Sequence, residues 1–259
     1  MKRSAIPGLI AVLVLIFFYL PIAMLALQSF NGSRFGGSWE GFSLIWYERL
    51  FEHRGVWMAA KNSLMVALWS TLASVVLGTL AGWALHRHRT RLQSGHLMLV
   101  YSPLVVPDVL MGISLLLFFV HFSISLGLVT IIIAHTTFCV SYVALVVLSR
   151  LQDFDFHLIE AAQDLGAGWG TIIIKILLPL LGPGILAGAL LAFTLSIDDF
   201  VITFFVSGPG STTLPVQIYS MMRHGTPTLI NALSVIFMTA TFTLVILSQW
   251  LLKPKNRGA

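Results

Sequence analysis

The sequence runs to 259 residues, with apolar residues at 57% and Asp, Glu, Lys and Arg together at only 10%. A water-facing fold is usually about a quarter charged, so a soluble domain is excluded and most of the exterior must face lipid. The formal charge of +5 then belongs to basic loops at an anionic membrane face rather than to a nucleic-acid surface.

Apolar runs long enough to cross about 30 Å of hydrocarbon, roughly 20 residues of helix, fall near residues 7–27, 63–85, 97–120, 128–148, 183–206 and 230–252. They predict an all-α polytopic membrane protein of six spans forming one membrane domain over residues 1–259. Helices are expected because they satisfy their own backbone hydrogen bonds in lipid, and the alternation of a membrane barrel is absent. Lys2 and Arg3 precede the first run, as in a secretory signal. That run is longer than a signal core and no small-x-small cleavage site follows it, so it is read as a retained span.

With both termini in the cytoplasm, the inner segments hold Lys2, Arg3, Arg87, Arg89, Arg91, Arg150, Lys175, Lys253, Lys255 and Arg257. The outer segments hold only Arg34, Arg49, Arg54, Lys61 and Arg223. Such a bias fixes the orientation. The cluster His86-Arg87-His88-Arg89-Thr90-Arg91 is read as an anchor at the lipid surface, not as a metal or nucleotide site.

Residues 31–61 hold closely spaced Trp39, Phe42, Trp46, Tyr47 and Phe51. They suit an interfacial helix or a docking surface for an external partner. A second outer segment, residues 207–229, begins Gly208-Pro209-Gly210 and contains the apolar stretch 214–222, a short helix at the outer mouth. Cys139, the single cysteine, is read as packing.

Between the fourth and fifth runs stand Glu160-Ala161-Ala162, then Gly166, Ile176, Leu178 and Pro179. Residues 158–165 predict a short helix whose Ala161 and Ala162 allow close approach to another surface. Gly166 supplies the backbone freedom of a helix end, and Asp164 lies in the same segment. A second helix is expected to run to Pro179, which opens the return to the membrane.

Three acids fall inside apolar runs: Asp108 near the middle of the third, and Asp198 and Asp199 in the outer half of the fifth. A carboxylate there costs about 2.5–3.5 kcal/mol on insertion scales and is a functional candidate by default. On a continuous helix Asp199 shares a stripe with Ser196 and Thr203, Asp198 shares one with Thr194, and Tyr101 lies two turns below Asp108. No Lys or Arg within the runs can neutralise these acids. The pattern points to a positively charged visitor, with neutral acids tying helices together as the alternative. Pro103, Pro107 and Gly182-Pro183-Gly184 mark expected helix breaks. His121 and His135 are read as packing or interfacial residues. No Gly-x-x-x-x-Gly-Lys-Ser/Thr phosphate loop, catalytic triad or metal-spaced cluster occurs, so the chain is expected to be neither an ATPase nor an enzyme and to bind no metal or cofactor itself.

The segment from Glu160 to Pro179 is similar to the Glu-Ala-Ala-x3-Gly-x9-Ile-x-Leu-Pro loop of type I ABC-importer permeases at every fixed position. The chain also resembles, nearly end to end, the C-type permeases of spermidine/putrescine importers. That likeness covers Ser29-Phe30-Asn31-Gly32-Ser33-Arg34-Phe35-Gly36, Trp46-Tyr47, Ser102-Pro103, Pro107-Asp108, residues 160–167, residues 193–199 and Phe205-Val206-Ser207-Gly208-Pro209. The resemblance implies the type I permease fold in a bacterial inner membrane. It implies a homologous second permease, two copies of an ATP-binding subunit carrying ATP and Mg, and a periplasmic polyamine-binding protein. Glu160, Ala161, Ala162, Asp164 and Gly166 would form the contact with the ATPase. Asp108, Asp198 and Asp199 would line the substrate pathway, with Tyr101, Phe200 and Tyr219 as aromatic faces for cation–π contact. Importers of other cations, such as thiamine or ferric iron, stay open. A proton-coupled secondary transporter built on the three acids would leave the cytoplasmic loop without a purpose.

Overall fold

The computed structural model describes residues 6–34, 36–87, 91–152, 154–223, 225 and 227–252. Lys2, Arg3, Phe35, His88, Arg89, Thr90, Asp153, Lys253, Lys255 and Arg257 lie outside the described residues. The helices begin with α1 (Ile6–Gln28), α2 (Ile45–Glu52), α3 (Arg54–Arg87), α4 (Gln93–Val105), α5 (Asp108–His121) and α6 (Leu128–Gln152). They continue with α7 (His157–Asp164), α8 (Trp169–Ile172), a π-helical turn (Ile173–Leu177), α9 (Leu178–Asp198), α10 (Val201–Val206), α11 (Leu214–Arg223) and α12 (Pro227–Leu252). Among the described residues the only extended pairing is an isolated bridge between Asn31 and Phe42.

The chain divides into two compact units, Met1–Val56 with Ile218–Ala259, and Trp57–Gln217. In the first, α1 is apolar all round, and Leu9 to Leu20 stand exposed. A helix hydrophobic on every face has lipid as its solvent. Its C-terminal end runs into a loop organised by Asn31, whose side chain is fully buried. The Asn31 amide donates to Gln28 Oε1 (2.9 Å) and to the Ser38 carbonyl (2.7 Å), while its oxygen accepts from the Glu40 N–H (2.9 Å) and more weakly from Ser33. The Trp46 indole of α2 donates to the Asn31 carbonyl (2.9 Å). Phe30 stacks on Phe42 with ring centres 5.3 Å apart. The aromatic-rich segment is thus a folded loop closed by one short helix.

In the second unit α6 is the central element. Ile131, Ala134, Cys139, Val143, Val147 and Leu151 on it are fully buried. Lipid is as apolar as leucine, so burying Leu or Val between helices gains little hydrophobic free energy, and association relies on close packing and polar contacts. Gly78 and Gly82, one turn apart on α3, supply the close packing. A Cβ on Gly78 would lie 2.7 Å from Val143 Cβ, and one on Gly82 would lie 2.9 Å from the Ala144 carbonyl oxygen. Hydropathy alone gave no hint of this crossing.

Among the described residues, four apolar helical stretches are long enough to cross a membrane: Gly8–Gln28, Arg54–Arg87, Leu128–Gln152 and Trp169–Asp198. A fifth would be the pair α4 and α5, and α12 adds a 26-residue helix whose apolar part begins at Pro227. Three expectations change. The run 97–120 is not one straight helix: α4 and α5 meet at 107°. Pro107 has no N–H to donate and disfavours helical dihedrals in the residue before it, and Val106 is extended (φ −71°, ψ 128°). Second, Gly182-Pro183-Gly184 does not open a span. It lies inside a helical rod that continues from Trp169, through the π-helical turn and past Pro179, to Asp198. Third, the break falls later, at Asp199 (φ −66°, ψ 125°), after which α10 resumes for six residues. Residues 54–61, expected in a loop, begin the 34-residue α3. The short helix expected at 214–222 is present as α11.

Candidate functional site

The bend at Pro107 and the break at Asp199 bring three acids to one cavity of about 330 Å³, within the range of small-molecule sites, roughly 300–1,000 Å³. Asp108, the first residue of α5, Asp198, the last of α9, and Asp199 all line it, with Phe138, Tyr142 and Phe200 as aromatic walls. Phe138 and Tyr142 lie four residues apart on α6, the spacing that shares a helix face.

The acids are held differently. Asp199 is largely buried and caps α10: its carboxylate accepts from the Thr203 N–H (2.8 Å), the Thr203 hydroxyl (2.8 Å) and the Ile202 N–H (3.3 Å). His135 Nε2 lies 3.2 Å from the same carboxylate. Asp108 and Asp198 are exposed, and neither enters an ion pair among the described residues. A negative charge at a helix N-terminus is stabilised by about 0.3–1 kcal/mol, and one at a C-terminus is disfavoured by a similar amount. Asp108 sits at the favourable end of its helix and Asp198 at the unfavourable end. Of the three, Asp198 therefore stands to gain most from an incoming cation.

Two sequence expectations about these residues fail. Asp199 does not share a continuous stripe with Ser196 and Thr203, because the helix stops between them; it meets Thr203 by capping it. No Lys or Arg approaches it among the described residues, and the contact it does make, to His135, was not foreseen. Tyr101 does not share a helix face with Asp108, because the 107° bend separates them. It is exposed and is not among the cavity-lining residues. Tyr219 belongs to the first unit, where the Arg223 guanidinium already lies 5.0 Å from its ring centre. Phe200 lines the cavity as expected. Sequence reading missed Phe138, Tyr142 and His135, although positions 135, 138 and 142 follow the three-and-four spacing of one helical face.

The loop between α6 and α9 has the expected form. Helix α7 begins where Asp155 Oδ1 accepts the His157 N–H (3.0 Å) and ends in a Schellman motif. In that motif the Ala167 N–H reaches the Ala162 carbonyl (2.9 Å) and the Gly166 N–H reaches Gln163 (2.8 Å). The motif requires a left-handed residue, and Gly166 has φ +82°. Ile159 turns inward against Ile172 and Leu177, within a rim formed by Trp83, Phe154 and Phe156. His86 stacks on Phe156 at 5.1 Å with the rings nearly parallel. Glu160, Ala161, Asp164 and Gly166 are exposed and Ala162 is half-buried. Leu165 beside them is 89% exposed.

The family model described as "Binding-protein-dependent transport system inner membrane component" matches residues 74–257. The chain belongs to this family of permeases. The permease is 41% identical over 242 residues to the spermidine/putrescine transport system permease protein PotC of Escherichia coli K12, covering 93% of this chain and 92% of that one. It is 43% identical over 231 residues to the putrescine transport system permease protein PotI of the same strain, covering 86% and 82%. Among solved structures, it matches a bacterial ABC transporter involved in the import of alginate, with TM-score 0.76 at 16% identity, covering 98% of this chain and 99% of that one. That likeness establishes the type I importer permease fold. It says nothing of cargo.

Proposed function

We propose that this permease is one of two membrane-spanning subunits of an ATP-driven importer that moves spermidine or putrescine into the cytoplasm by alternating access. The observation that carries the reading is the cavity in which Asp108, Asp198 and Asp199 meet beside Phe138, Tyr142 and Phe200. A polyamine is a flexible polycation with apolar links. Carboxylates take its ammonium groups, and aromatic faces attract them with about 0.5–2 kcal/mol each. The polyamine systems named for the PotC and PotI relatives support the same cargo. Within the proposal, Asp108 and Asp198 meet the cation directly, while Asp199 chiefly holds the break.

Glu160, Ala161, Ala162, Asp164 and Gly166 form the surface that seats in the ATP-binding subunit. Two copies of that subunit, carrying ATP and Mg, and a homologous second permease complete the membrane assembly, in the bacterial inner membrane. A periplasmic binding protein delivers the cargo; a related alginate transporter has been solved with its periplasmic protein.

The test is uptake of labelled spermidine and putrescine by cells lacking their own polyamine importers. The chain is expressed with its genomic neighbours, as wild type and as Asp108→Asn and Asp198→Asn. Losing one charge-assisted contact, worth about 1.5–3 kcal/mol, is expected to lower uptake at limiting substrate by at least tenfold in each variant at equal complex yield. Wild-type complex that hydrolyses ATP yet carries no polyamine would remove the substrate assignment.

A further inference from the structure

We propose that His135 is the positioning residue for Asp199, fixing the break between α9 and α10 that shapes the acid-lined cavity. Its transport consequence rests on the polyamine reading above; its structural consequence does not.

His135 sits on α6 with its side chain 1% exposed. Both ring nitrogens are engaged, and they land on opposite sides of the break. Nδ1 is 2.7 Å from Ser196 Oγ, near the end of α9. Nε2 is 2.9 Å from Thr203 Oγ1, in α10, and 3.2 Å from Asp199 Oδ2 between the two helices. Beyond Ser196, the chain of contacts reaches Ser70 of α3 at 2.9 Å. One imidazole therefore ties α6 to both arms of an interrupted helix.

The direction of the hydrogen bonds follows from counting protons. The Thr203 hydroxyl gives its hydrogen to Asp199 Oδ2, so it can only accept from His135. An ionised carboxylate also only accepts. Nε2 must therefore carry the hydrogen. In the neutral ring, Nδ1 then accepts from the Ser196 hydroxyl, and Ser70, whose hydroxyl otherwise donates to the Ala67 carbonyl at 3.3 Å, turns to donate to Ser196 at 2.9 Å.

The consequence for Asp199 is a division between its oxygens. Oδ2 takes the Thr203 N–H, the Thr203 hydroxyl and the imidazole, whereas Oδ1 has one longer contact, from the Ile202 N–H at 3.3 Å. His135 thus pins one oxygen and leaves acceptor capacity on the other. Packing alone would not require the two nitrogens of one side chain to bracket a single break.

The experiment uses the assembled transporter with all its subunits, reconstituted in lipid, and two substitutions. His135→Gln places an amide N–H near the position of Nε2 and keeps the Asp199 side of the contact. His135→Asn places one near Nδ1 and keeps only the Ser196 side. The first readout is spermidine uptake; the second is the labelling rate of a cysteine at Val201, a cavity-lining position, by a water-soluble maleimide. The buried Cys139 of the parent protein serves as blank. His135→Gln is expected to stay within about threefold of wild type in both readouts, and His135→Asn to lose about tenfold in uptake while labelling several-fold faster, the scale of one hydrogen bond left unmade. In an Asp199→Asn background the contrast between the two should vanish. Thr203→Val against Ser196→Ala should repeat the labelling order, which keeps the question decidable if His135→Asn does not assemble. Equal behaviour of Gln and Asn at matched complex yield, or a contrast that survives Asp199→Asn, overturns the proposal. If the wild type carries no polyamine but the labelling order holds, the positioning role stands and the cargo assignment falls.

Discussion

Replacing Gly166 with alanine isolates a single physical effect, because a Cβ at this position would meet nothing within 4 Å. Steric overlap contributes nothing. What remains is the backbone: φ is +82°, and an L-residue with a side chain pays roughly 1–2 kcal/mol to hold the left-handed conformation. At about 1.4 kcal/mol per decade, the Schellman turn in Gly166→Ala should form about 5- to 30-fold less readily. Asparagine tolerates this region better, so Gly166→Asn should fall between alanine and wild type. The residues displaced are those of the exposed end of α7, with the three acids untouched. The expected phenotype is a lower ratio of polyamine carried to ATP hydrolysed, with unchanged apparent affinity for the cargo. The assay is paired measurement of uptake and phosphate release in proteoliposomes. Equal ratios for glycine and alanine, or asparagine worse than alanine, would refute the reasoning, because neither follows from a left-handed backbone requirement.

Other perturbations probe the scaffold. Gly78→Val forces a side chain to within 2.7 Å of Val143 Cβ; overpacking of about 1–3 kcal/mol should lower the thermal midpoint of the solubilised complex, with Val143→Gly, which removes that Cβ, restoring part of it. Asn31→Ala removes a fully buried hub that makes four side-chain hydrogen bonds. A loss of at least about 2–3 kcal/mol should expose residues 32–44 to limited proteolysis while α3 to α10 stay resistant. His86→Ala removes the ring stacked on Phe156. A modest loss, about 0.5–1.5 kcal/mol, should reduce the coupling ratio without changing complex yield.

The long apolar helices were legible because hydropathy over some 20 residues is set by the solvent, and lipid imposes it on every turn. Where those helices stop was less legible. Val106 and Asp199 lie inside apolar runs whose average does not change at the break, and only the dihedral demands of Pro107 and the capping carboxylate of Asp199 end the helix there. The opposite error occurred at Gly182-Pro183-Gly184, where composition suggests a break and the helix continues. Glu160-Ala161-Ala162 and Gly166 were readable because the turn depends on residues adjacent in sequence. His135 was not, because its partners Ser196, Asp199 and Thr203 lie more than 60 positions away and no local pattern records them. The three acids stood out from their setting alone and the structure brings them to one cavity, but the distinction between a pinned Asp199 and open Asp108 and Asp198 needed the packed helices.

The uninterrupted rod from Trp169 to Asp198 spans 30 residues, about 45 Å at ~1.5 Å per residue. One end adjoins the loop that carries α7; the other ends at the acids. It is a helical lever continuous through the π-helical turn and both prolines. Tilting such a lever by about 5° carries its far tip roughly 4 Å, about the rise of two to three residues. Under the importer proposal, small displacements at the α7 end would reach the acid end magnified, and the helical break at Asp199 and Phe200 is where the compliance they need lies.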